Sequence, residues 1–185
     1  MAILKIARMG HPVLRQRAQP VEDPTAEGVR RLIGDMTETL IDAEGIGLAA
    51  PQVHQALRLI LFYDAEERDD LQGRRPIALI NPELELLDDG VMLGWEGCLS
   101  IPELRGLVPR HARIGYRGLT PEGRRIEREA RGLHARVVQH EVDHLDGILF
   151  PMRMPDLRML TFESELRHFV APTEEPGGAN GEERT

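Results

Sequence analysis

At 185 residues the chain has the size of one domain, long enough to bury a core without covalent staples and too short for two full lobes. Its 41% hydrophobic and 29% charged residues suit a soluble globular protein, while a net charge of −8 argues against broad electrostatic binding to nucleic acid. Cys98 is the only cysteine, so no intramolecular disulfide can form, and no apolar run is long enough for a signal peptide's core or a membrane span; the expected compartment is the cytoplasm.

From Thr25 to Glu44 the apolar positions Val29, Leu32, Ile33, Met36, Leu40 and Ile41 recur at three and four, which predicts an N-terminal amphipathic helix with Thr25 as N-cap and Gly45 as its stop. The middle of the chain then changes to strand-like segments with Gly, Pro and Asp punctuation: "LRLILFYD" from Leu57, "PIALINPELELL" from Pro76, "LVPRHARIGYRGL" from Leu107 and "RRIEREARG" from Arg124. Asp64 to Arg75 is polar enough to be a solvated loop and is given no function. The order predicts an α+β fold, with antiparallel or mixed sheets packed around a central buried helix. A single catalytic domain is expected over 1–171, followed by an acidic tail, 172–185, whose Gly- and Glu-rich composition predicts disorder.

The buried helix is expected at Leu133 to Asp146. With a helical advance of roughly 100° per residue, Leu133, Val137, His140 and His144 share a face, and Glu141 lies beside it. Val138, Val142 and Leu145 widen the apolar arc, leaving Arg136, Gln139, Asp143 and Asp146 as a narrow polar stripe; Gly147 is suited to end the helix. Within "QHEVDHLDG" the two histidines, four apart, would have Cβ atoms roughly 5 to 6 Å apart and could converge on one ion. Glu141 could reach a water there without being a ligand, which is what a general base needs. Two core histidines joined only by hydrogen bonds are the plainer alternative.

A catalytic divalent site usually takes three protein ligands and keeps an open position. His11, His54, His111, His134 and His168 stand alone in contexts that read as exposed or terminal, so none is taken as the third. Cys98, in "GWEGCLSIPELRGLVPR", is another donor. As a thiolate beside two neutral imidazoles it would leave a divalent site with a net charge of about +1, able to lower the pKa of bound water toward about 7. Taken alone, without partner ligands, Cys98 reads rather as a small buried hydrophobe.

Three ordered stretches, "GIGLAAPQ" at Gly45 to Gln52, "EGCLS" at Glu96 to Ser100 and "QHEVDHLDG" at Gln139 to Gly147, resemble the motifs of the peptide deformylases of bacteria and organelles. The likeness runs from about Leu4 to about Met154 and includes "INPEL" at Ile80 to Leu84. The resemblance implies that Cys98, His140 and His144 bind the metal, that Glu141 moves the proton, and that the Gln52 amide and the backbone N–H of Leu99 hold the formyl oxygen. It further implies that Gly47 lets a peptide approach as an added edge strand, that Ile46, Leu133, Val137 and Trp95 line a methionine pocket, and that Arg105 lies near the peptide. Leu104 stands where many relatives have a polar residue, and Gly94-Trp95 matches one subset of the family.

The implied activity is hydrolysis of N-formyl-methionyl nascent peptides to formate and a free N-terminus, with one divalent ion per chain, Fe(II) favoured over zinc, nickel or cobalt. A zinc-type peptidase and a catalytically silent metal- or peptide-binding module are the competing readings. No membrane and no sequence-specific nucleic acid partner is expected. Glu174, Glu175, Glu182 and Glu183 against Arg184 would repel ribosomal RNA, so weak or differently placed docking on the ribosome is expected.

Overall fold

The computed structural model describes residues 2–64 and 75–169, so the acidic tail and most of the polar loop lie outside the described residues. Among the described residues, two α-helices, α1 (Glu27–Asp42) and α2 (Gly132–Leu145), accompany eight strands. Strands β1 (Gly47–Ala49), β2 (Leu59–Phe62), β3 (Ile77–Leu86), β6 (Arg113–Leu119) and β7 (Arg125–Arg131) form one sheet in the order β1-β2-β3-β6-β7. Strands β4 (Val91–Cys98), β5 (Ile101–His111) and β8 (Leu160–Phe162) form a second, in the order β4-β5-β8. Every strand pairing among the described residues is antiparallel. The mixed alternative reduces to an isolated parallel bridge between Gln19 and Leu57.

The first helix is shorter than its periodicity suggests. Thr25 is not its N-cap: that position falls to Ala26, which has no side-chain cap bond, while the Thr25 hydroxyl turns back to Asp23 Oδ1 at 2.7 Å. Nor does Gly45 supply the left-handed residue that ends it. Glu44 does, with φ of +50°, and Gly45 N and Glu44 N close the last turn onto Leu40 O and Ile41 O. A Cβ at Gly45 would instead press on two leucine side-chain ends, Leu40 Cδ1 at 2.7 Å and Leu99 Cδ1 at 3.0 Å, which would have to shift.

The segment beginning at Leu107 is not one strand. It divides at Ala112 into the end of β5 and the start of β6, and β4 pairs with β5 across the tight turn Leu99–Ser100. Gly94 and Gly97 hide β4 in the sequence, since glycine weakens a strand pattern. From Glu96↔Gly106 to Cys98↔Ile101 the register shifts, so that Pro102 to Arg105 face the single residue Gly97, with Glu103 at φ +65°.

Helix α2 packs against β1, β2, β5, β6 and β7, placing it between the two sheets. Ala135, Val138 and Leu145 are fully buried and share a core with Ile60, Phe62, Leu79 and Ile114. Gly147, at φ +74°, ends the helix in a Schellman arrangement: Ile148 N donates to Asp143 O at 2.9 Å and Gly147 N to His144 O at 3.3 Å.

Candidate metal centre and its cleft

The end of β4 and the middle of α2 meet at three donors. One side-chain atom each from Cys98, His140 and His144 lies within 4.8 Å of the others, and all three residues are buried. Sγ of Cys98 is 3.2 Å from Nε2 of His144. Nδ1 of His140 is taken by Glu96 Oε2 at 2.8 Å, which leaves Nε2 to face the cluster.

Glu96 is the residue that organises this corner. It is 5% exposed and is held by Arg110 through Nε at 2.9 Å and an Nη at 3.0 Å, and by Arg136 at 2.8 Å. Arg110 also donates to Asp143 at 2.5 Å, and Arg153 grips the same carboxylate at 2.6 Å. Arg136, Gln139 and Asp143 of the polar stripe of α2 are thus turned toward the second sheet, while Asp146 stays exposed and pairs with Arg58 at 2.8 Å. Gln139 does the same work at the end of β5, exchanging bonds with the backbone N and O of His111 at 3.0 and 2.9 Å. Burial disfavours a charged Glu96, yet the bonds from His140 and Arg110 outweigh it and hold its carboxyl well below the usual range.

Electrostatics around the donors favour a thiolate. Burial alone would raise the Cys98 thiol, but His144 and His140 outweigh it and pull it well below its ordinary value. For His140 the balance runs the other way: burial lowers it, and bonds to Cys98 and Glu96 raise it well above an ordinary imidazole. Glu141 stands apart, pushed up to about 7 mainly by burial, with His140 and His144 opposing the shift. Its Oε2 and Nδ1 of His144 are buried with no hydrogen-bond partner among the described residues.

Two further elements complete the cleft. Gln52, on a 3-10 turn after β1, accepts from Ala49 N through Oε1 at 2.8 Å, which points its amide nitrogen at Ser100 Oγ (3.2 Å) and Cys98 Sγ (3.6 Å). Gly47 of β1 lies so close to Glu141 that a Cβ would collide with its carboxylate. Both β1 and β4 are edge strands of their sheets, and on β4 Arg136 already donates to the carbonyls of Met92 at 2.7 Å and Gly94 at 3.4 Å.

The other residues singled out in the sequence fall into separate places. Leu99 occupies the turn next to Cys98. Ile46, Leu133 and Val137 belong to one apolar cluster, whereas the Trp95 ring lies edge-on to Phe169 at 5.3 Å, outside it. Arg105 rests against Gly97 and pairs with Glu163 at 2.7 Å. His11, His54 and His168 are exposed, but His134 is not: it is buried on α2 between Phe62 and Tyr116, with Nδ1 3.1 Å from Asp64. A groove of about 600 Å³ on the five-stranded sheet, lined by residues such as Glu83, Tyr116 and Glu129, includes none of the donors.

A family model for polypeptide deformylase matches residues 3–159, which take in the donors, Glu141 and Gln52. The chain belongs to the polypeptide deformylase family. Peptide deformylase 1 of Bordetella pertussis is 52% identical over 156 residues, covering 82% of this chain and 88% of its own. The deformylase structure from Thermotoga maritima aligns with a TM-score of 0.77 at 37% identity, over 84% of this chain and all of that one. A class I type b deformylase from Acinetobacter baumannii, crystallised with Met-Ala-Ser bound, gives 0.77 at 35% identity over 83% of this chain and 99% of that one.

Glu96, Arg110, Asp143 and Ser100 are the site residues that sequence reasoning left without roles. Glu96 and Ser100 flank the cysteine in "EGCLS", and Asp143 sits inside the histidine motif, so position was the available signal. Arg110 carried none, because its partners lie 14 and 33 residues away.

Proposed function

We infer that the chain hydrolyses the N-formyl group from the N-terminal methionine of nascent polypeptides, releasing formate, and that it works as a metal-dependent enzyme. Membership of the family supports the reaction, and the convergence of Cys98, His140 and His144 carries the metal assignment. The donor set fits a divalent cation: a thiolate-favouring cysteine, two imidazoles, and a neighbouring carboxyl whose Oε2 lacks a partner among the described residues. Such an ion, when bound, supplies Lewis acidity and makes water acidic enough to react near neutral pH. Fe(II) is the proposed native ion because the family resemblance favours it; thiolate and imidazole also accept zinc, nickel and cobalt, and availability decides as much as ligand type.

Glu141 is proposed to take the proton of the attacking water and deliver it to the departing amine nitrogen as the C–N bond breaks. A carboxyl pushed up to about 7 is matched to both halves of that task. The Gln52 amide, aimed by its bond from Ala49 N, and the backbone N–H of Leu99 are proposed to hold the formyl oxygen as charge gathers on it. The peptide is proposed to lie along the free edge of β1, where Gly47 leaves the backbone bare, with Ile46, Leu133 and Val137 around the methionine side chain. The product-like Met-Ala-Ser bound to the Acinetobacter relative supports a peptide groove of this kind.

The proposed site of action is the cytoplasm; no helix among the described residues is long and apolar enough to cross a membrane. The decisive assay compares formate release from formyl-Met-Ala-Ser with cleavage of unformylated Met-Ala-Ser, using protein purified and metal-loaded without oxygen. Formate release alone is expected. Cleavage of the unformylated peptide would favour a peptidase, and neither reaction would leave a binding module.

A further inference from the structure

Arg105 is held in a way that bears on which peptides the cleft accepts. Four residues of β5, Pro102 to Arg105, face Gly97 alone, and the guanidinium of Arg105 lies directly over that glycine, where any Cβ would collide with it. Gly97 immediately precedes Cys98, so this cation stands at the end of the β4 edge that flanks the donors. Its side chain is 26% exposed and its partner, Glu163, is 56% exposed, joined at 2.7 Å. Glu163 follows directly on β8, whose Thr161 pairs with Arg105 across the sheet, so the backbone holds the carboxylate within reach.

An ion pair this open to water is weak, because the solvent screens it and ordering two side chains costs entropy. It holds Arg105 in place without consuming it, and a second carboxylate reaching the guanidinium can exchange with Glu163. Resting on the proposed deformylation of formyl-Met peptides, we propose that Glu163 is a specificity-determining residue: it competes for Arg105 with carboxylates that the substrate carries downstream of its formyl-methionine. Glu163 thereby levels the cleft's preference, reducing the advantage that acidic or short free-acid peptides would draw from an unpaired arginine. Neutral peptides lie outside this competition.

The test measures KM for formyl-Met-Ala-Ser as the free acid and as its C-terminal amide, in the wild-type metal-loaded enzyme, in Glu163→Gln and in Arg105→Gln. Glu163→Gln is expected to lower KM for the acid by about two- to five-fold relative to its effect on the amide, the range set by an exposed pair. That gain should vanish in about 0.5 M salt, where the Debye length is a few ångströms, and Arg105→Gln should equalise acid and amide. Equal shifts for acid and amide in Glu163→Gln, or no shift in either, would overturn the proposal while formate release still upheld the deformylase reading. Absence of formate from both peptides in the wild-type enzyme would sink both.

Discussion

Oε2 of Glu96 lies 2.8 Å from Nδ1 of His140, and the same carboxylate is held by Arg110 and Arg136. The imidazole therefore cannot turn freely: its Nδ1 is engaged, and its Nε2 is presented to Cys98 and His144. An outer carboxylate of this kind fixes the tautomer and orientation of a ligating histidine and raises its basicity. Arg110 ties that carboxylate to Asp143, one turn further along α2, so the β4–β5 hairpin that carries Cys98 is pinned to the helix that carries both histidines.

Glu96→Gln should keep the fold but weaken metal binding by about 10- to 100-fold, the usual effect of losing such a partner. Chelator competition monitored with Co(II) or Zn(II) would measure it. Unchanged affinity would show that the hairpin positions His140 without help from Glu96.

Arg110→Met should destabilise the protein by about 3 kcal/mol, at the low end for breaking a buried ion pair, because Arg136 and Arg153 remain to serve the two carboxylates. Arg110→Lys keeps the charge and loses the fork, so its cost should be smaller. Urea unfolding of the metal-free proteins separates this effect from metal loss.

Gly47→Ala places a methyl group against the Glu141 carboxylate. Metal content should be retained, and formate release should fall by about 100-fold, as expected when a reacting group is displaced by about 1 Å. Activity equal to wild type would mean that Glu141 has room to move without consequence.

His134 gives the protein a stability that depends on pH. Burial holds its imidazole below the ordinary value, against the opposing pull of Asp64. The unfolded chain therefore takes up a proton near the ordinary value of about 6.5 that the folded protein does not, and stability falls as pH drops through that value. Thermal melts at about pH 7.5 and about pH 5.5 should differ less in His134→Leu than in wild type; the same difference in both would contradict this assignment.

How much of this was legible in the sequence depended on how local each signal is. The helix bearing His140, Glu141 and His144 follows from a 3.6-residue period and its closing Gly147, and the structure places it within one residue of that reading at each end. The end of α1 was harder, because Glu44 takes the left-handed conformation that Gly45 seemed to offer. Strand β4 was missed because its two glycines and its pairing with β5, including the register shift opposite Gly97, leave no alternating pattern. The Glu96–Arg110–Asp143 network is invisible for the same reason: each residue is unremarkable until strand pairing and helix packing bring the three together. His134 was misread because one polar side chain on an apolar face carries no sign of the Asp64 and ring contacts that accommodate it.

The central claim is that Glu141 moves protons beside a metal held by Cys98, His140 and His144. Its most direct test measures metal content and formate release from formyl-Met-Ala-Ser on the same anaerobic preparations of wild type and Glu141→Gln. Equal metal content with turnover reduced by at least about 100-fold in the variant is the predicted result; undiminished turnover with metal bound would contradict it.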